Sequence, residues 1–77
     1  MSLMDDIEGA DGATNKQLLS LAKRDLDENG DYGMYTRYIL MSKSKDPDEL
    51  GLDLTALRER FFKDKGVKPP PLPPPVE

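Results

Sequence analysis

Asp31-Tyr32-Gly33-Met34-Tyr35-Thr36-Arg37-Tyr38-Ile39-Leu40-Met41-Ser42-Lys43-Ser44 admits two readings, and the architecture turns on the choice between them. Tyr35 to Ile39 is rich in aromatic and β-branched side chains, which suit a pleated strand. The preceding Asn29-Gly30 is a hairpin signal. Against that, Met34, Tyr35, Tyr38 and Ile39 form a broad apolar stripe at helical spacing, with Asp31 placed to cap it. The residues before Asn29 decide the matter. They read as helix, so a strand here would have nothing to pair with. The segment is predicted to be helical, and the short connection makes it an antiparallel neighbour of the helix before it.

That preceding helix has a clear start. Thr14-Asn15-Lys16-Gln17 fits a capping box, in which the Thr14 hydroxyl takes the Gln17 amide and the Gln17 side chain reaches back. Leu18, Leu19, Ala22 and Leu26 then share one face. Asn29-Gly30 supplies a stop that tolerates the left-handed conformation. After the polar stretch Ser42 to Lys45, Asp46-Pro47-Asp48-Glu49 reads as another helix start: a capping Asp, Pro in the first turn, then acids. Gly51 is expected to end that helix after one turn. Asp53 is then expected to cap a third long helix, with Leu52 and Leu57 at staple spacing and Leu54, Leu57 and Phe61 on one face. Gly66 with Val67 fits a C-terminal stop.

The two ends read differently. Residues 1–13 hold Asp5, Asp6, Glu8 and Asp11, several Gly and Ala, and no basic side chain. Such a stretch offers little apolar surface to offset its ordering entropy, so it is predicted to be a disordered acidic leader. Residues 68–77 contain all seven prolines but one, and should form an extended polyproline II rod. The expected fold is therefore all-α: a three-helix domain over 14–67, with an antiparallel helix pair plus a third helix. The expected core is Leu18, Leu19, Ala22, Leu26, Met34, Tyr35, Tyr38, Ile39, Leu50, Leu54, Leu57 and Phe61.

Composition narrows the chemistry. Among 77 residues there is no Cys and no His, so a structural zinc site and the commonest acid–base side chain are both missing. No run approaches the length of a membrane span. The net charge of -4 comes from the ends, because 16–76 mixes basic and acidic side chains almost evenly. That pattern is a solvated surface rather than the basic stripe of a nucleic-acid binder. Arg58, Arg60, Lys63 and Lys65 on the last helix raise a helix-turn-helix alternative, but Glu59 and Asp64 interrupt them. No enzyme active site is expected, and a cytoplasmic setting is the default.

Three candidate sites remain. Asp25-Leu26-Asp27-Glu28-Asn29-Gly30-Asp31-Tyr32-Gly33 resembles the front half of an EF-hand calcium loop. Asp25, Asp27, Asn29 and Asp31 stand at loop positions one, three, five and seven, with Gly30 at the sharp turn. The resemblance implies calcium as ligand. It departs from the pattern at position twelve, where Thr36 replaces the bidentate Glu, at Tyr32 and at Arg24. The second site is an apolar patch for a protein partner or a second copy of the chain: Leu40, Met41, Leu52 and Phe62 fall off the main stripes and are expected to stay exposed. The third is the tail. Lys68 precedes two Pro at the spacing that SH3 domains accept, and Pro70-Pro71-Leu72-Pro73 resembles a core taken by some WW domains. The resulting expectation is a non-enzymatic interaction module: a small subunit, adaptor or assembly factor.

Overall fold

The computed structural model describes residues 2–72. The described chain is helical throughout its ordered elements, with α1 at Leu3–Glu8, α2 at Asn15–Asn29, α3 at Met34–Lys43 and α4 at Pro47–Asp64. Both α1 and α4 pack on the α2–α3 pair and make no close approach to each other, so the pair forms the middle of the body. The radius of gyration, 11.9 Å, is close to the ~11 Å of a compact chain of this length. Neither the first helix nor Val67–Leu72 therefore strays far from the body.

Local chemistry explains most of the helix ends. Thr14 caps α2 through its hydroxyl, and the Gln17 side chain accepts from the Thr14 amide in return. Gly30 closes α2 at φ 82°, its amide donating to the Leu26 carbonyl. Asp46 caps α4 by accepting from the Glu49 amide, with Pro47 opening the helix. Past the end of α4, the amides of Gly66 and Val67 donate to the carbonyls of Lys63 and Phe62, with Gly66 at φ 72°. Those two bonds make a Schellman motif.

Four expectations are corrected. The acidic leader carries a helix: Ser2 caps α1, and Ile7 is buried in the same apolar cluster as Leu18, Ala22, Leu26 and Leu40. Its acids find cations on the body, with Asp6 on Arg24 and Asp11 on Lys43, each at 2.8 Å. Lys43 also donates to the Glu8 carbonyl. The helix cap at Asp31 is not used. Gly33 precedes α3 without any side-chain cap, and Asp31 serves elsewhere.

Gly51 does not end a helix. It lies inside α4, which runs unbroken past Asp53, so no staple forms between Leu52 and Leu57. The lost side chain has a packing reason. A Cβ at Gly51 would sit 3.1 Å from the Met41 Cε and 3.5 Å from an Arg37 nitrogen. Arg37 donates to the Gly51 carbonyl at 3.0 Å. Glycine therefore leaves room for the Met41 and Arg37 side chains of α3 against α4. Gly51→Leu should lower stability by ~1–3 kcal/mol through overpacking, despite the better helix propensity of leucine. Urea unfolding measures it, and a variant as stable as the parent would contradict this role for the glycine.

The stripes are also rotated from expectation. On α4 the buried row is Leu50, Leu54, Arg58 and Phe62, while Leu57 and Phe61 are half-buried beside it. On α3 the buried positions are Thr36 and Leu40. Tyr35 and Tyr38, expected inside, are 61% and 66% exposed. Tyr32 is the tyrosine that enters the core, just ahead of α3, and its hydroxyl donates to the Leu54 carbonyl at 2.7 Å.

Candidate functional site

One polar cluster ties three segments together. Arg58 comes from the buried row of α4, and its side chain is only 9% exposed. Its Nε donates to Asp31 Oδ1 at 2.8 Å and its Nη2 to Asp31 Oδ2 at 2.9 Å, a bidentate pair. The same Nη2 donates to the Pro70 carbonyl at 2.6 Å. The guanidinium lies 5.2 Å from the centre of the Phe62 ring. The hydrogen bond to Asp31 raises the Arg58 pKa further above its ordinary value, so the guanidinium stays charged. The Asp31 carboxylate also accepts from the Tyr32 amide, which fixes the α2–α3 connection against α4.

Tyr32 beside this cluster has its phenol pKa raised by burial, with Arg37 and Arg58 opposing the shift and Asp31 adding to it. The unfolded chain ionises Tyr32 near the ordinary value of 10.0, before the folded chain does. The stabilisation from the neutral phenol is therefore complete below that pH and is lost as pH rises through the higher folded value. Melting midpoints should fall above pH 10 in the parent, and Tyr32→Phe should fall less. Equal alkaline slopes would contradict the assignment.

The candidate calcium ligands do not converge. Asp25, Asp27 and Asn29 all lie on α2, where alternate residues point to widely different sides. Asp25 accepts from the Asn29 side-chain amide at 2.6 Å, and Asp31 is taken by Arg58. Among the described residues no carboxylate cluster fit for a metal ion is found. Millimolar calcium should leave the melting midpoint unmoved, whereas a ligand bound only by the folded form would raise it.

The partner residues read from sequence scatter. Leu40 and Phe62 are buried, and Met41 is half-buried near Gly51. Of that group only Leu52 is freely exposed, at 75%. The exposed large apolar side chains among the described residues are Met4, Tyr35, Tyr38, Leu52 and Val67, and of these Tyr35 and Tyr38 share the outer face of α3. The helical spacing of the tyrosines was legible, but their side of the helix was not. Arg58 was read with Arg60, Lys63 and Lys65 as a basic helix face, because a charged side chain is not expected in a buried row. The four-residue spacing of Leu50, Leu54, Arg58 and Phe62 was the available signal.

In the tail, Pro70 and Pro71 are exposed, and Leu72 is half-buried against the core cluster. Pro73 lies outside the described residues. No helix among the described residues is long and apolar enough to cross a membrane. Comparison with protein-family models, curated proteins and solved structures found no match.

Proposed function

We propose that this chain is a non-enzymatic protein–protein interaction module, a small subunit, adaptor or assembly factor, that binds its partner through the outer face of α3. The observation that carries the reading is the exposure of Tyr35 and Tyr38, on adjacent turns of one helix, beside a core that closes without them. Tyrosine is among the residues that dominate binding energy at interfaces, because a rigid apolar ring ends in a hydrogen-bonding group. Leu52 on α4 is a further exposed apolar side chain. Pro70 and Pro71, exposed in the tail, offer a second contact surface.

Replacing both tyrosines by serine tests the proposal. Sedimentation of the purified chain, and of a cell extract containing it, should show loss of the parent's complex. The melting midpoint should change little, because both side chains are mostly in water. A complex of unchanged size with a large fall in melting midpoint would place these rings in the core instead and overturn the reading.

A further inference from the structure

The tail is held so that only part of its circumference faces water. Pro69 and Leu72 are half-buried, whereas Lys68, Pro70 and Pro71 are exposed. Consecutive prolines favour the polyproline II form, whose three residues per turn put residues three apart on one edge. Pro69 and Leu72 are such a pair, and theirs is the edge turned to the body. Arg58 holds the rod in this orientation through the Pro70 carbonyl.

Grooves that read such segments are lined by aromatic side chains. The two edges left free here carry Pro70 and Pro71. Lys68 stands two residues before Pro70 and is exposed, which leaves its charge available to a partner's carboxylate. We propose that Lys68, Pro70 and Pro71 form part of the ligand of a partner protein with an aromatic-lined groove and an acidic pocket, and that this partner reads the tail while Pro69 and Leu72 stay on the body. The proposal rests on the protein-interaction reading and names the partner class for the tail. It favours a reader of the SH3 kind, which can ignore position 72, over a reader of Pro-Pro-Leu-Pro, which must take Leu72 from its contact with the core.

Calorimetric titration of the full chain with an SH3 domain that accepts a leading lysine is the test, beside a synthetic peptide of residues 66–77. The held tail is already ordered, so the full chain should bind at least as tightly as the peptide. Lys68→Glu and Pro71→Ala should each weaken binding about tenfold, or ~1.4 kcal/mol. Leu72→Ala should change it no more than about twofold. No binding by either chain or peptide would overturn the partner class. Binding by the peptide alone would show that the body hides the motif. A loss at Leu72→Ala equal to that at Pro71→Ala would assign the tail to the other reader. The tyrosine-to-serine variant, titrated in parallel, should bind normally. A failure of the tail proposal is thereby distinguished from a failure of the α3 surface, which is judged by sedimentation.

Discussion

Asp31→Ala should destabilise the fold by ~3 kcal/mol, more than any other single change to a surface-facing carboxylate in this chain. The size follows from what is left behind. Arg58 is nearly buried, and with Asp31 gone the partners left to it among the described residues are the Pro70 carbonyl and the Phe62 ring. A buried guanidinium without its carboxylate is the costly state, and removing one partner of such a pair typically costs ~3–5 kcal/mol. The low end applies because the Asp31 side chain is 31% exposed, so water re-enters on that side. Replacing both residues should cost less than the two single losses combined, and a double-mutant cycle in urea measures the coupling. A loss below ~1 kcal/mol for Asp31→Ala would make the pair an ordinary exposed salt bridge.

Ile7→Ala should cost ~2–4 kcal/mol, the usual penalty for hollowing a buried aliphatic site. A disordered leader would give no loss at all, so this substitution separates the two descriptions of residues 3–8. The ion pairs that accompany α1 cannot replace it. Asp11 is 81% exposed where it meets Lys43, and exposed pairs contribute little. Ile7 is the anchor, and the charges help to set where the short helix lies. Thermal melts of Ile7→Ala beside Asp11→Ala should show a large drop for the first and almost none for the second.

These two positions show where sequence reasoning stopped. Caps are local events, decided by residues three or four apart, so Thr14 with Gln17, Gly30 and Asp46-Pro47 could be read directly. The helical state of α3 followed from its neighbour. The leader could not be read this way, because its order depends on a site that α2 and α3 provide together. One isoleucine in an acidic stretch looks insufficient until Arg24 and Lys43 are seen to lie beside it. Gly51 was read as a stop because glycine weakens isolated helices. It is instead covered by the Met41 and Arg37 side chains of a distant segment.

The candidate site was legible only in outline. Helical periodicity gives the spacing of a stripe, but its rotation depends on what the neighbouring helices offer. Arg58 takes a place in the buried row because Asp31 arrives from another loop to neutralise it. Phe62 is drawn inside along the same row. On α3, Leu40 faces the core and the tyrosines are carried outward. The residues expected to form the partner surface and those expected in the core thus exchanged places in part.

Photocrosslinking in the source cells tests the interaction surface most directly. A photoreactive phenylalanine at Tyr35 or Tyr38 should yield a discrete crosslinked protein, whether another species or a second copy of the chain. The same group at Lys16, exposed at the start of α2, should yield none. Equal crosslinking from all three positions, or none from the α3 pair while Lys16 reacts, would contradict the account.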